Sequence, residues 1–174
     1  MSQERFEVGK QPQIEIVECM GDLVVRSWAE TAVLIQGDDY ETNETDGGLT
    51  ITSQGSIKLT VPEASSLAIH TVHGDVEIKR VEGTVSLQTA YADAAIRGAG
   101  SLKIGTVHND LAIKRVNGNV SVETVYGDTA VRNCGDLSLG TVHGDLMARA
   151  VDGAVNIVEV YGDISLRSIS GNVA

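Results

Sequence analysis

Apolar residues recur two positions apart along most of the chain, in short groups separated by small and polar residues. Val76/Ile78, Val85/Leu87 and Leu102/Ile104 are typical pairs, with one polar or small residue between two aliphatic ones. This alternation places both apolar side chains on one face of a β-strand, whereas a helical repeat needs apolar positions about 3.6 residues apart. The pattern therefore predicts an all-β protein.

Between residues 65 and 174 the alternation belongs to one repeated unit of nine, occasionally eight, residues, as in GDVEIKRVE and GDLSLGTVH. Units that end in TVH or TVY alternate with units that carry Lys or Arg at their sixth place, so two units form one physical repeat. A repeat of about 18 residues has the length of one β-solenoid coil, and short connections between parallel strands favour a right-handed path. We predict a right-handed parallel β-helix with about 18 residues per coil. The alternative that the repeat also allows is a four-sided coil of 35 residues.

The N-terminal part follows the unit less closely. GDLVVRSW at 21–28 parallels GDISLRSI at 162–169, which indicates a degenerate coil over 12–28, and the unit is lost between 29 and 62. Exposed solenoid ends present unpaired backbone groups. We therefore expect one domain over 1–174, in which residues 12–62 form irregular coils that cap the N-terminal end and residues 65–174 form the regular repeats.

Stacked units place equivalent side chains in outward columns, about 4.8 Å apart along the axis. The second and sixth places lie on one face, roughly 13 Å apart at about 3.3 Å per residue. The acidic column contains Asp75, Asp93, Asp110, Asp128, Asp145 and Asp163, and the basic column contains Lys79, Arg97, Lys114, Arg132, Arg149 and Arg167. The aromatic column, at the corner beside the acidic column, contains His73, Tyr91, His108, Tyr126, His143 and Tyr161.

Each column has a structural and a functional interpretation. We expect each aspartate to accept a backbone N–H within its own Gly-Asp turn, the alternative being a row of cation sites. The basic column is either a solvated face or a surface for an anionic polymer. The rings either cover the corner or bind a planar ring or sugar face, and histidines about 10 Å apart cannot share one metal ion. The glycine that opens each unit is expected to adopt a positive φ, with Asn109 as the tolerated substitute and Ala92 as the exception.

The net charge of −11 is concentrated in residues 1–50, where 11 acidic residues face 3 basic ones. An acidic chain without a basic patch argues against nucleic-acid and membrane partners. No apolar leader or transmembrane run is visible, which predicts a cytoplasmic protein, and no cofactor is implied. Cys19 and Cys134 occupy positions where other units have valine, so both are predicted to be small core residues.

No sequence motif of a hydrolase, metalloprotease, nucleotide-binding or redox site occurs. Because every acidic and basic residue of the repeats follows the period, a non-enzymatic binding or scaffolding module is the preferred interpretation. A polysaccharide lyase or hydrolase on a β-helix is the alternative, which rests on fold analogy alone.

The segment LTVPEASSLAIHTVHGDVEIKRVEG and the later TVYGD and TVHGD turns resemble the bacterial putative-adhesin family, over about residues 5–174. That resemblance implies a β-helical domain of unknown function that takes part in adhesion, with a protein or polysaccharide as partner, and it implies no catalytic residues.

The last unit stops after GNVA, so the final coil is predicted to expose apolar residues and an unpaired strand edge. We expect a second copy to cover this edge in a homodimer. The predicted contact residues are Ile164, Leu166, Ile169 and Val173.

Overall fold

The computed structural model describes residues 2–174 as 19 β-strands in two sheets, with no helix in that range. The first sheet contains β1 (Ser2–Glu7), β3 (Leu23–Trp28), β4 (Ala32–Gly37), β7 (Ile57–Pro62), β9 (Val76–Lys79), β11 (Ala94–Ala99), β13 (Leu111–Val116), β15 (Thr129–Cys134), β17 (Leu146–Val151) and β19 (Ile164–Ile169). The second sheet contains β2 (Gln13–Cys19), β5 (Tyr40–Thr45), β6 (Gly48–Ser53), β8 (Ser66–Val72), β10 (Thr84–Ala90), β12 (Ser101–Val107), β14 (Val120–Val125), β16 (Leu137–Val142) and β18 (Val155–Val160). The all-β, solenoid-like prediction is confirmed.

From β8 onward the chain alternates between the two sheets, and each strand pairs in parallel with the next strand of its own sheet. Val85 pairs with Leu67, 18 residues earlier, and with Leu102, 17 residues later. The alternating 17- and 18-residue steps keep equivalent side chains in register, so the sequence columns become straight columns of the structure. The handedness of the coil stays a prediction.

The N-terminal coils do not stack in chain order. β2 and β3 lie between the coil of β8 and β9 and the coil of β6 and β7, so the later coil is the outer one. β5 pairs with β6, and β4 pairs with β7 and β1, all in antiparallel orientation. These antiparallel strands therefore cover the N-terminal end of the stack.

The space between the sheets is filled by columns of aliphatic side chains. Ile78, Ile96 and Ile113 are almost completely buried and lie in one such column, as the two-residue alternation predicts. Burying a side chain of this size stabilises the fold by about 1.5–3 kcal/mol. Cys19 and Cys134 are buried free thiols in these columns, which confirms their predicted core position.

The expected positive φ of the corner glycines is wrong. Positive φ instead occurs at the residue after each basic-column position from Lys79 to Arg167. This left-handed column comprises Arg80 (56°), Gly98 (108°), Arg115 (61°), Asn133 (59°), Ala150 (58°) and Ser168 (55°). The corner glycines are required by close approach instead, since a Cβ at Gly127 would lie 2.7 Å from the Asn109 carbonyl carbon in the preceding coil.

The last coil is much less buried than the others. Ile164 is 51% exposed, whereas its stacked neighbour Leu146 is 1% exposed. Val173 forms a single parallel bridge to Val155, and only residues 172–174 hydrogen-bond to the outer edge of β18. Within residues 2–174, no strand pairs with the outer edge of β19.

Candidate functional site

The acidic column is a continuous hydrogen-bonded ladder. Each carboxylate accepts the backbone N–H of the aspartate in the next coil, as in the bond from the Asp128 N–H to Asp110 Oδ1 (2.8 Å). The same contact joins each coil from Asp22 through Asp163 at 2.8–3.1 Å. The expectation of an N–H donor within the same turn is therefore wrong, because stacking brings the next coil's N–H closer.

The ladder includes one residue that the predicted column omits. Asp22 accepts the Asp75 N–H, so the column begins in the degenerate N-terminal coil. At the other end, Asp163 receives no such N–H among the described residues, so both of its carboxylate oxygens are free of ladder bonds. The similarity of GDLVVRSW to GDISLRSI was the sequence signal for Asp22.

The basic column is also longer than predicted. Arg26 pairs in register with Lys79, which continues the column through every parallel coil from β3 to β19. Lys79 forms an ion pair with Glu77 at 2.7 Å, and the hydrogen bond from Lys79 lowers the pKa of the Glu77 carboxyl. No other residue of the basic column forms an ion pair within residues 2–174. Like charges at this spacing repel by about 1 kcal/mol per neighbouring pair in water.

A shallow groove of about 620 Å³ lies along the inner side of the acidic column. Its floor is formed by the small fourth-place residues Ala95, Ala112 and Ala130, and it ends near Met147 and Ser165. A second hollow of about 210 Å³ continues from the alanines to the basic column. The structure thus brings the predicted acidic and basic columns together on one face, separated by a low apolar strip.

The aromatic column is a stack of six rings. Neighbouring ring centroids are 4.7–5.2 Å apart with interplanar angles of 10–15°, from His73 through Tyr161. Tyr91 and Tyr126 are each 49% exposed, so the stack covers the corner with its edges open to solvent. At the last ring, a hydrogen bond to Glu159 raises the pKa of Tyr161.

The opposite sheet carries a polar hollow that the sequence reasoning missed. A space of about 430 Å³ lies over Gly105, between Gln88 and Glu123, with Lys103 at its side. The signal was the absence of a side chain at Gly105 and Gly140, where neighbouring units carry Gln88 and Glu123. His70 Nε2 lies 2.9 Å from Glu15 Oε1 beyond this hollow.

Two further observations concern the described residues as a whole. No group of three or more His, Cys, Asp or Glu side chains in residues 2–174 is arranged to hold a metal ion. In the same range, no helix is long and apolar enough to cross a membrane. The predicted C-terminal contact residues do lie together on the last coil, and their role in a dimer stays a prediction.

Neither a family model nor a curated protein matches the sequence. Among solved structures, the chain is similar to a putative adhesin from Bacteroides fragilis, with 16% identity, a TM-score of 0.39, and coverage of 99% of this chain and 95% of the other. It is also similar to a putative cell adhesion protein from Clostridium sporogenes, with 13% identity, a TM-score of 0.33 and coverage of 99% of both chains. The names of both proteins match the family that the sequence resembles.

Proposed function

We propose that this protein is a non-enzymatic binding or scaffolding module, adhesin-like in role, that presents repeated surface columns to a protein or polysaccharide partner. The proposal takes the coil as right-handed, as the sequence led us to expect, and gives it about 18 residues, a length that the 17- and 18-residue steps between parallel partners support. It also includes self-association and a cytoplasmic location, as the sequence led us to expect.

One observation carries this proposal: the charged and aromatic side chains of the outer surface repeat with the coil. The acidic, basic and aromatic columns each place the same chemistry at every level. A catalytic site needs unlike groups held at one place, whereas a binding surface for a long or repeated partner gains from many equivalent contacts.

The test measures binding and cleavage with the same purified chain. A panel of acidic and neutral polysaccharides is examined for binding by calorimetry and for chain cleavage by size analysis; the proposal expects no cleavage of any member.

Asp110→Asn provides the critical variant, because an amide oxygen can keep the ladder bond, as Asn119 does with the Asp136 N–H at 3.0 Å. Asp136→Asn, in the other turn, is the matched control. Cleavage of an acidic polysaccharide that disappears in Asp110→Asn but persists in Asp136→Asn would establish the enzyme alternative and overturn the proposal.

A further inference from the structure

The face that carries the acidic and basic columns is distinct in charge from the rest of the chain. We call the outer surface of the parallel strands β3, β9, β11, β13, β15, β17 and β19 the charged face. Seven of the 13 Lys and Arg residues of the chain lie in its basic column, counting Arg26, opposite seven aspartates that include Asp22. A chain with a net charge of −11 therefore has one face that is nearly balanced.

The two columns are separated, so the face does not neutralise itself. In each coil the acidic position directly precedes a strand and the basic position lies four residues later within that strand, roughly 13 Å away. Arg97, Lys114, Arg132, Arg149 and Arg167 are exposed and have no ion pair within the described residues. A partner that carries both charges in separate rows would therefore complement this face.

We propose that the charged face binds the charged face of a second copy, about a two-fold axis parallel to the coil axis. This inference rests on the proposed scaffolding function and identifies the partner as a second copy of the chain. This rotation reverses positions along the strand direction and leaves the position of each coil along the coil axis unchanged. Each acidic column therefore lies opposite the basic column of the partner, and Asp128 of one copy is level with the same coil's Arg132 in the other.

Symmetry excludes the opposite arrangement. A two-fold axis that runs along the strands would reverse the direction of the coil axis and leave positions along the strands unchanged. Aspartates would then face aspartates, and arginines would face arginines. Like charges placed across an interface are strongly unfavourable. The arrangement of the columns consequently selects parallel copies.

The spacing of the charges also favours a second copy over another polyion. Equivalent charges recur with every coil, about 4.8 Å apart, and only a partner built from the same parallel strands repeats both rows with that period. A polyanion would bind the basic column, but it would also lie close to the row of aspartates. A second copy satisfies both columns over the full length of the face.

The available area is sufficient for a dimer. Seven strands spaced about 4.8 Å apart and about 20 Å wide give roughly 670 Å² per copy, close to the roughly 800 Å² of standard interfaces. The open end of the last coil offers only about 20 by 10 Å, roughly 200 Å² per copy, which is in the range of crystal packing contacts. Area therefore favours the charged face over the C-terminal edge.

The residues between the columns permit close approach of two faces. The central positions are mostly small, with Ala95, Ala112 and Ala130 in the middle, and sheets can pack about 10 Å apart when such side chains meet. Met147, at the same position in the next coil, is 57% exposed and would be covered by its own counterpart across the axis. Glu77, the one central charge, is already paired with Lys79.

The first experiment measures the oligomeric state of the full chain by sedimentation velocity between about 1 and 100 µM. The 18.3 kDa chain is expected to form a dimer. Arg132→Glu places a negative charge opposite Asp128 of the partner twice per dimer, so we expect at least about a tenfold increase in the dissociation constant. Lys103→Glu changes the net charge equally on the opposite sheet and should leave the dimer unchanged.

A second experiment tests the orientation and register. Arg167→Glu and Asp163→Lys should each weaken the dimer, because each places like charges together at one coil. An equimolar mixture of the two variants should restore association, since the introduced glutamate of one copy then faces the introduced lysine of the other, and the unmodified Asp163 faces the unmodified Arg167. Asp163 suits this exchange because its carboxylate accepts no backbone N–H from a following coil among the described residues.

Three results would overturn the inference: a monomer at about 100 µM, a dimer indifferent to Arg132→Glu but lost with Ile169→Lys, or a mixture that associates no better than its components. The second of these would establish the C-terminal edge as the interface. Polysaccharide binding without cleavage by a monomeric protein would leave the proposed function standing, whereas cleavage by a dimer would remove that function and leave the interface.

Discussion

Thr129 is a polar residue inside an otherwise aliphatic column. It lies between Leu111 and Leu146 and is 2% exposed, and its hydroxyl has no hydrogen-bond partner within the described residues. A buried hydroxyl without a partner costs about 1–3 kcal/mol of stability. Thr129 therefore makes the folded protein less stable than an aliphatic side chain of the same shape would.

We expect Thr129→Val to raise the free energy of unfolding by about 1 kcal/mol or more, because valine keeps the shape and removes the unsatisfied group. The melting temperature should rise by about 2–4 °C per kcal/mol. Thr124→Val, at a half-buried position of β14, is the control and should change little. A lower melting temperature for Thr129→Val would show that the hydroxyl has a partner after all.

The Cys134 thiol gives the protein a predictable response to alkaline pH. Burial raises the pKa of Cys134 from its ordinary value of 9.0 to about 11, and nearby Asp152 and Asp136 add to the shift. Below pH 9 both the folded and unfolded chains keep the proton, so its stabilising effect is complete. Between pH 9 and 11 only the unfolded chain loses the proton, and stability falls.

Cys134→Val should therefore lose less stability than the unmodified chain when urea unfolding is compared at about pH 8 and about pH 10.5. The two proteins differ in no other titratable group, so the difference between them isolates Cys134. Parallel loss of stability in the two proteins would contradict a raised pKa at this site.

At the level of strands and turns, the coil corners combine a glycine with the ladder bond of the following aspartate. Ala92 is the one alanine at an acidic-column corner, and the ladder bonds on both sides of Asp93 are 3.1 Å, compared with 2.8 Å for Asp128 to Asp110. A Cβ is thus tolerated at two of these corners, Ala92 and Asn109, and the N–H groups of Asp93 and Asp110, which follow them, form the longer ladder bonds of 3.1 Å.

Gly127→Ala should be destabilising by about 1–3 kcal/mol, because the added methyl would approach the Asn109 backbone to 2.7 Å and also meet the Asp110 carboxylate. Gly55→Ala is the matched control, since nothing lies within 4 Å of its added Cβ. Thermal unfolding of both variants measures the effect, and equal melting temperatures would remove close approach as the reason for glycine at the corner.

The acidic column should not depend on calcium for its stability. From Asp22 to Asp145, one oxygen of each carboxylate already accepts a backbone N–H. We expect the melting temperature to be the same, within error, in millimolar calcium and in EDTA. A rise of about ten degrees with calcium would indicate cation binding to the folded state and would contradict this role for the ladder.

The strands were predictable because inward residues such as Val85 and Leu87 follow a strict two-residue period. The hydrogen-bond donors to the aspartates were not, because the bond joins residues 17 or 18 apart that become neighbours only on stacking. The left-handed positions were not predictable either, since they are occupied by residues as different as Arg80, Asn133 and Ala150. No single residue type marks that bend.

For the molecule as a whole, the repeat predicts that coils stack but not their order. The coil of β6 and β7 lies outside that of β2 and β3 although it follows in the chain, because residues 29–62 carry no repeat that fixes their neighbours. The rearrangement places antiparallel strands over one end of the stack. The two ends of the described structure therefore differ in how well their backbone groups are paired.

This difference predicts a gradient of amide hydrogen exchange along the coil axis. Amides of β18 and β19 should exchange fastest, because Ile164 is half exposed and no strand pairs with the outer edge of β19 within residues 2–174. Amides of β12 and β13 should exchange slowest, and those of β6 and β7 should be better protected than β18 and β19, since β5 and β4 pair with them. A dimer through the charged face leaves this order unchanged. Protection of β19 equal to that of β13 would instead show that its edge is covered, as a dimer through Ile164, Leu166 and Ile169 requires.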